Sequence, residues 1–369
     1  MNITETSTYK EIMQQKNLWN ELRSLLTEHK VELKNLIDEK KQQGHVKVYF
    51  SGAGSSAYVG DVLANFLKDE KDISFHSTPT TDIVTKPEKY FTDIDEVILF
   101  SFARSGNSPE TKGTIHLANQ ISDNVSHVFI TNNKDGYLAN YDGEALKVIL
   151  PEESNDKSLA MTSSFSTMLF SALLLFDKNV SDAFIKGLPE YFEQIENFVD
   201  KEIEHDFKKI FYLATGTYSK ISKETALKMN ELTGGEIDVN NETTLGFRHG
   251  PKAALTDGSL LIQMYSQSEE IYVHQYEKDI SSELADARDI FKVILTPSRT
   301  LIPEELRKHY NILELGEGLN NIELILLYLV FGQLLACKKS DQMNINPDNP
   351  SPDGFINRVV KGVEIYDYI

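Results

Sequence analysis

A strand, a glycine-containing turn and a helix follow one another twice in this chain, and that order restricts the fold more than any other feature. In the first half, residues 46–50 predict a buried strand, 52–56 a turn and 57–67 a helix. In the second half, 210–214 and 220–232 repeat the strand and the helix around a second glycine turn. Alternating strands and helices build parallel sheets with helices on both faces, so we expect two doubly wound α/β domains. Ligands bind such sheets at the carboxyl ends of the strands, where both turns lie.

The remaining periodic segments complete the two halves. Further strands are predicted at 73–76, 97–101, 127–131 and 146–150 with a helix at 162–176, and then strands at 259–265, 291–296 and 311–314 with a helix at 321–338. An amphipathic helix is expected over 8–43, and the apolar residues of the C-terminal tail favour docking over disorder. The expected divisions are an N-terminal helical segment (1–44), a first domain (45–195), a second domain (196–340) and a tail (341–369).

Composition excludes several classes of partner. The chain has 56 acidic and 37 basic residues, and its formal net charge of −19 disfavours nucleic acid and anionic membranes as partners. The single cysteine, Cys337, excludes an internal disulfide framework and fits a reducing compartment. The N-terminus lacks a signal-peptide pattern, and the apolar stretch 322–337, interrupted by Glu323 and Gln333, predicts a buried helix rather than a membrane span. We therefore expect a cytoplasmic protein.

Serine, glycine and asparagine separate a strand from a helix at residues 101–111. Backbone N–H groups at a helix N-terminus attract anions, and Pro109 suits the first helical turn. The candidate anion-binding residues of this loop are Arg104, Ser105, Asn107, Ser108 and Thr111. A capped helix start without a ligand has the same pattern, so the segment alone leaves both interpretations open.

The first glycine turn, 52–57, matches the dinucleotide pattern G-x-G-x-x-A. That pattern requires an acidic residue about 20 residues later, and the segment 75–79 has none. A dinucleotide enzyme is therefore disfavoured, and Gly54 indicates only a close approach of the backbone to some anion. Ser55 and Ser56 are either phosphate donors or a helix cap.

The second half carries a charged helix face and a histidine loop. Glu224, Lys228 and Glu231 fall on one face of the predicted helix, and such a stripe is usually a solvated surface. The stripe starts just after the carboxyl end of a strand, which favours a site there. His249 stands between Arg248 and Gly250, and a histidine in such a loop can move protons near neutral pH. The histidines have no metal-ligand spacing, so we predict no catalytic metal.

Taken together, these motifs resemble the sugar isomerase (SIS) domain family, in a tandem arrangement of flavodoxin-like domains. The segment 103–111 looks like the family's phosphate loop, S-x-S-G-x-[ST]-x-[DE]-T, with Ala103 in place of the first serine and Arg104 able to supply a charge instead. Ser56 falls where the family has a serine in its first glycine turn. Residues 160–165, with Thr162 and Ser163, are similar to the family segment that lines the sugar.

The segment around Glu231 resembles the isomerase domain of glucosamine-6-phosphate synthase. The resemblance implies that Glu231 is the proton-shuttling base, that Glu224 and Lys228 assist it, and that His249 opens the sugar ring from a neighbouring subunit. A homodimer or homotetramer with shared active sites is therefore expected. Lys361 aligns with the synthase's C-terminal lysine. No glutaminase domain precedes residue 46, so an amidotransferase is not expected.

The histidine loop and the tail look most like the galactosamine-6-phosphate deaminase/isomerase branch, also named tagatose-6-phosphate ketose/aldose isomerase. This likeness implies conversion of galactosamine 6-phosphate to tagatose 6-phosphate with release of ammonia and without a cofactor. Three alternatives stay open at this point: a simple aldose–ketose isomerase, a deaminase for glucosamine or fructosamine phosphates, and a non-catalytic sugar-phosphate sensor. The sensor needs the Ser105 loop but not Glu231 together with His249.

Overall fold

The computed structural model describes residues 2–92, 95–360 and 362–369, which form two compact units. The first unit comprises residues 14–179 and 353–369. The second comprises 180–352 together with the N-terminal residues up to 13. Each unit contains one five-stranded sheet with helices packed on it.

The described elements alternate between strand and helix through most of the chain. The helices are α1 (Ser7–Leu25), α2 (Thr27–Gln43), α3 (Ser55–Phe66), α4 (Thr80–Thr85), α5 (Glu88–Phe91), α6 (Pro109–Ile121), α7 (Ser163–Leu175), α8 (Asp182–Glu202), α9 (Tyr218–Leu232), α10 (Ile271–Leu284) and α11 (Asn321–Gln342). The strands are β1 (Val46–Ser51), β2 (Ile73–Ser77), β3 (Glu96–Ala103), β4 (Val125–Thr131), β5 (Leu146–Ile149), β6 (Lys209–Ala214), β7 (Asp238–Thr243), β8 (Leu260–Met264), β9 (Phe291–Thr296) and β10 (Asn311–Glu314).

The two sheets share one topology. The first has the strand order β2-β1-β3-β4-β5, and the second, read in the matching direction, has the order β7-β6-β8-β9-β10. Every strand pair in both sheets is parallel. The expected pair of doubly wound parallel sheets is therefore confirmed, and the internal repeat inferred from pattern is a repeat of structure.

Glycines let helices approach the sheet, and one another, closely. A Cβ on Gly60 of α3 would lie 2.8 Å from the Phe50 carbonyl oxygen of β1, so only glycine fits between this helix and its strand. A Cβ on Gly332 of α11 would lie 2.2 Å from the Thr225 methyl of α9. These contacts hold α3 and α9, the two helices that follow the glycine turns, in fixed positions.

Several elements differ from the sequence-based expectations. The helix predicted over 8–43 is two helices, with a break at Leu26. The helices α8 and α10 were not predicted, and α8 spans the expected domain boundary at 195, whereas the compact units divide at 179–180. The strand β7 was also missed. Its sequence, Asp-Val-Asn-Asn-Glu-Thr, has the polar composition of an edge strand rather than the apolar run of a central one.

The helix α11 is the apolar core of the second unit. It begins with a capping box, in which the Asn320 side chain accepts from the N–H groups of Ile322 and Glu323 while the Glu323 carboxylate accepts from the Asn320 N–H. By length and hydropathy this helix could cross a membrane, but 89% of its apolar window is buried inside the protein. It is therefore the buried helix that the sequence predicted, although longer.

The ends of the chain are held by polar contacts. In the second unit, the Asp348 carboxylate accepts from the Ser7 and Thr8 N–H groups and from the Thr8 hydroxyl, which caps α1. From residue 353 onward the tail docks in the first unit, and only some of the apolar side chains that suggested docking take part. Phe355 is 88% exposed and Val360 is 56% exposed. Backbone carbonyls, the Arg358 guanidinium and the Ile365 side chain make the contacts, as described below.

Candidate active site

The loop from Arg104 to Ser108 is fixed at the carboxyl end of β3. Ser108 caps α6, because its Oγ accepts from the Thr111 N–H at 3.3 Å and lies 2.7 Å from the Thr111 hydroxyl. Asn133 Nδ2 donates to the Ser105 carbonyl at 2.8 Å. Gly106 has φ of +65°, a conformation that favours glycine, and a Cβ there would lie 3.2 Å from Thr131 Oγ1. The loop thus presents a helix N-terminus whose serines, Ser105 and Ser108, are half-buried.

Asn107 and Arg104, also predicted as anion ligands, use their side chains within the protein. The Asn107 Oδ1 accepts from the Tyr137 N–H at 2.9 Å. The Arg104 guanidinium is buried and donates to the carbonyl oxygens of Ser158, Leu159 and Arg358 at 3.2, 3.0 and 2.7 Å. Both side chains therefore support neighbouring segments.

The first glycine turn lies beside this loop. Since β1 and β3 are adjacent, with Ser51 paired to Ser101, the turns that follow them leave the same edge of the sheet. A Cβ on Gly52 would lie 2.5 Å from the Ser56 carbonyl carbon, and Gly54 has φ of +57°. The structure therefore brings together Ser55 and Ser56, in the first turn of α3, and the Ser105 loop at one sheet edge.

Thr162 and Ser163 are fully buried and hold a carboxylate. Asp156 accepts from the Thr162 N–H at 2.7 Å and hydroxyl at 3.2 Å, and from the Ser163 N–H at 3.1 Å and hydroxyl at 2.5 Å. It also accepts from the Ser164 N–H and hydroxyl. Asp156 thus caps α7, a role that the sequence analysis missed because the aspartate lies several residues before the helix. Lys361, the remaining predicted binding residue, lies outside the described residues.

In the second unit, α9 carries a charged cluster that is mostly buried. Glu224 and Lys228 are fully buried, and the Glu231 side chain is 26% exposed. The Lys228 ammonium lies 3.3 Å from Glu224 Oε1 and forms a short ion pair with Glu231 Oε2. Burial by itself lowers the pKa of Lys228, but the two carboxylates outweigh burial, so the pKa lies above its ordinary value. A solvated surface stripe is therefore excluded, and Glu231 is the member of the cluster that outside molecules can reach.

Glu231 does not lie at the carboxyl ends of the strands, contrary to expectation. The helix α9 starts after the carboxyl end of β6 and runs back toward the amino end of β7, which is parallel to β6. At a rise of 1.5 Å per residue, Glu231 is about 20 Å along the helix from its start at Tyr218. The proton-transfer candidate is therefore near the amino edge of this sheet.

His249 ends a short 3-10 helix, Gly246–His249, in the connection between β7 and β8. Phe247 anchors this loop in a cluster with Phe211 and Leu213 of β6 and residues of α10. Arg248 and Lys252 both pair with Glu283 of α10. The His249 side chain is exposed, and no hydrogen bond or ion pair joins it to any described residue.

His249 and the charged cluster lie on opposite faces of the second sheet. Successive side chains of a strand lie on opposite faces of the sheet. Phe211 and Leu213 lie on the face that Phe247 packs against, so Tyr212 lies on the other face. Tyr212 pairs in register with Asn241, whose Nδ2 donates to the Ser222 hydroxyl of α9 at 3.4 Å. The helix α9 therefore covers one face and the histidine loop the other, so the sheet separates Glu231 from the His249 of its own chain.

Within the residues that the structure describes, no group of three or more His, Cys, Asp or Glu side chains is arranged to hold a metal ion. The chemistry available at the two clusters is that of hydroxyl and N–H donors for an anion and of a carboxylate and an imidazole for proton transfer.

The comparisons with known proteins agree with these features. Residues 42–178 match the SIS domain family. A D-galactosamine-6-phosphate deaminase AgaS of Shewanella sp. (strain ANA-3) is 35% identical over an alignment 375 positions long, which covers 98% of this chain and 92% of the relative. A crystal structure from Clostridium novyi NT, provisionally named a tagatose-6-phosphate ketose/aldose isomerase, has a TM-score of 0.89 at 35% identity and covers 98% of this chain and 95% of that one. The structure of the tagatose-6-phosphate ketose/aldose isomerase of Escherichia coli has a TM-score of 0.84 at 29% identity, and the match covers 100% of this chain and 98% of that one. The chain therefore belongs to the SIS-domain family of sugar-phosphate enzymes that includes the AgaS deaminases.

Proposed function

We propose that this protein is a deaminase and isomerase that converts galactosamine 6-phosphate and water to tagatose 6-phosphate and ammonia. The observation that carries the proposal is the cluster on α9, in which the fully buried Lys228 ammonium pairs with the buried Glu224 and with Glu231, the accessible carboxylate of the cluster. A non-catalytic sensor has no need of such a cluster, because burying two charged side chains costs free energy that phosphate binding alone does not require.

The substrate phosphate binds to Ser56, Ser105, Ser108 and the N–H groups at the start of α6. Each hydrogen bond to a charged group contributes roughly 1.5–3 kcal/mol, so several of them suffice for micromolar affinity after the entropic cost of binding. The half-buried state of Ser105 and Ser108 supports this role. Arg104 and Asn107, whose side chains are engaged elsewhere, are supports of the loop in this proposal.

The proposed reaction has three stages. His249 opens the pyranose ring by proton transfer between the ring oxygen and the anomeric hydroxyl. Glu231 then removes the C2 proton and returns it at C1. The aldehyde oxygen gains a proton and the C2 amine loses one, so the open-chain amino aldehyde becomes a C2 imine with a hydroxyl group on C1. Water adds to this imine and ammonia leaves, which yields the C2 ketone. Lys228 and Glu224 orient Glu231 and stabilise the charge that develops during proton transfer. None of these stages requires a cofactor.

The positions of His249 and Glu231 support an active site shared between subunits of a homodimer or homotetramer. Because the sheet of the second unit separates the two side chains in one chain, a His249 that acts on the substrate of Glu231 comes from another copy of the chain. We expect a mixture of His249→Ala and Glu231→Gln proteins to regain activity through hybrid sites after dissociation and reassembly. A fully active monomer at assay concentration would contradict the shared site.

Ammonia release from a panel of hexosamine 6-phosphates tests the reaction. We expect the fastest release from galactosamine 6-phosphate, with tagatose 6-phosphate as the other product. Ketose–aldose exchange of hydroxyl sugars without ammonia release would favour the second candidate, a tagatose-6-phosphate ketose/aldose isomerase, which is the name that the two solved relatives carry. Phosphate binding with neither reaction would identify a sensor. A cytoplasmic location, supported by the single buried cysteine, completes the proposal and is tested by cell fractionation.

A further inference from the structure

A buried arginine at the start of the proposed phosphate loop contacts the C-terminal arm, which we define as the described residues 353–360 and 362–369. Arg104 immediately precedes Ser105 and is 6% exposed. Its Nη1 donates to the carbonyls of Ser158 and Leu159, and its Nη2 donates to the carbonyl of Arg358 in the arm. The guanidinium therefore joins the anion loop to the arm through main-chain oxygens.

The arm is joined to the same part of the first unit a second time. Arg358 Nε donates to the Asp156 carbonyl at 2.9 Å, and its Nη2 donates to Asn155 Oδ1 at 2.8 Å. Asp156 is the residue whose carboxylate caps α7 through Thr162 and Ser163. The arm is thus tied both to the anion loop and to the turn that starts α7.

The end of the arm lies along α6, the helix whose N-terminus forms the proposed phosphate site. Ile365 packs so closely that a Cβ on Gly113 would lie 2.7 Å from its Cγ2. Gln120 Nε2 donates to the Tyr368 carbonyl at 3.0 Å. The arm therefore contacts Arg104, the first residue of the phosphate loop, and also α6, the helix that follows the loop.

We propose that Arg104 is a positioning residue, which holds the C-terminal arm against the phosphate loop and does not itself bind the substrate phosphate. This inference rests on the proposed phosphate site at Ser105 and Ser108. The N–H groups of the Arg104 guanidinium bind three carbonyl oxygens at once and thereby fix the backbone at the neighbouring Ser105. Loss of the fork frees the arm and loosens the loop, so substrate binding weakens while proton transfer at Glu231 is unchanged.

Arg104→Lys separates this role from that of a phosphate ligand. Lysine retains a positive charge and serves as a phosphate ligand in many proteins, but it lacks the planar fork that reaches several carbonyls at once. For a phosphate ligand, Arg104→Lys should resemble the wild type and Arg104→Met should not. For the positioning role, the two variants should have the same defect.

The experiment is limited proteolysis of the arm by subtilisin, followed by intact-mass measurement, with and without inorganic phosphate. We expect both Arg104 variants to lose the arm about tenfold faster or more than the wild type, since each loses hydrogen bonds made by a charged donor. In steady-state kinetics with galactosamine 6-phosphate, the KM of both variants should rise while kcat stays within about twofold of the wild type. Glu364→Gln, at an exposed position of the arm, is the matched control and should be cleaved at the wild-type rate.

Two outcomes would overturn the proposal. One is an Arg104→Lys protein with wild-type KM and wild-type cleavage of the arm. The other is a wild-type arm that is cleaved as fast as the arm of the Arg104 variants. If the Arg104 variants fail to fold, Arg358→Ala replaces them: it removes the side-chain contacts to Asn155 and Asp156 at an exposed position, and an arm that is cleaved faster without any rise in KM would refute the proposal that the arm supports the phosphate loop. Proteolysis needs no turnover, so failure of the proposed reaction, seen as a wild-type enzyme that releases no ammonia, is distinguished from failure of this inference.

Discussion

Replacing Glu231 by glutamine should abolish most of the turnover while leaving the protein folded and able to bind substrate. Glutamine keeps the shape of the side chain and cannot accept a proton from C2. Loss of a general base lowers kcat by about 10²–10⁴, which is about 3–5 kcal/mol in the barrier. KM should change little because the proposed phosphate donors are untouched.

The cost in stability should be much smaller than the cost in rate. Lys228 keeps Glu224 Oε1 at 3.3 Å, and the glutamine amide oxygen still accepts from the ammonium. A charge-assisted hydrogen bond is thereby exchanged for a weaker one, a difference of about 1 kcal/mol. In a domain of this size that difference lowers the melting temperature by about 2–4 °C.

The assay measures ammonia release together with incorporation of solvent deuterium at C1 and C2 of the sugar. Glu236→Gln is the matched control, because Glu236 is an exposed carboxylate shortly after the end of the same helix. Its stability should stay within about 0.5 kcal/mol of the wild type, with unchanged rate. Near-normal turnover and exchange in Glu231→Gln would refute the reasoning and transfer the base to another residue, with His249 as the first candidate.

Three further outcomes are expected. Lys228→Met should reduce the free energy of unfolding, measured in urea at pH 7.5, by about 3–5 kcal/mol, because Glu224 then stays buried without its ammonium. In the wild type, the raised pKa of Lys228 means that its contribution is retained at neutral pH and is lost only as the pH rises through that pKa. The Ser105→Ala, Ser108→Ala double variant should raise KM for the sugar phosphate more than it lowers kcat, and an unchanged KM would remove the phosphate from this loop. Burial lowers the pKa of His127 from 6.5 to about 4, so the folded state takes up this proton at a lower pH than the unfolded state does. Stability should therefore fall by about 3 kcal/mol as the pH drops from 6.5 to 4, and urea unfolding of His127→Gln should lack this part of the pH dependence.

Local patterns were sufficient for much of the fold. Apolar runs followed by glycine turns located β1 and β6, since a strand that is buried on both faces needs such a run and a tight turn onto a helix needs glycine. The edge strand β7 and the helix α10 escaped detection, because a half-exposed element carries few apolar residues and its signal is weak. The break at Leu26 was equally invisible, since apolar residues continue through it with helical spacing.

The roles of several predicted ligands depended on contacts between distant parts of the chain. Thr162 and Ser163 have the composition of a ligand-binding segment, but Asp156 takes their hydroxyls. Arg104 lies in the loop that we propose binds phosphate, yet its guanidinium donates to carbonyls of the 158–159 segment and of the C-terminal arm. Sequence spacing indicates which side chains lie near a turn, but it does not indicate the direction or the contacts of each side chain.

The sequence by itself determined the doubly wound sheets, the serine-rich loop at a strand's carboxyl end and the common helix face of Glu224, Lys228 and Glu231, because these follow from periodicity and turn chemistry over a few residues. Only the tertiary structure decided that this face is buried, since burial depends on which distant segments of the chain pack against the helix. It also decided that His249 lies across the sheet from Glu231. The connection after β6 runs to one side along the sheet, and the connection after β7 runs to the other side. Because crossover connections between parallel strands are right-handed, these two connections cover opposite faces of the sheet. The strand order that sets their directions exists only in the assembled sheet.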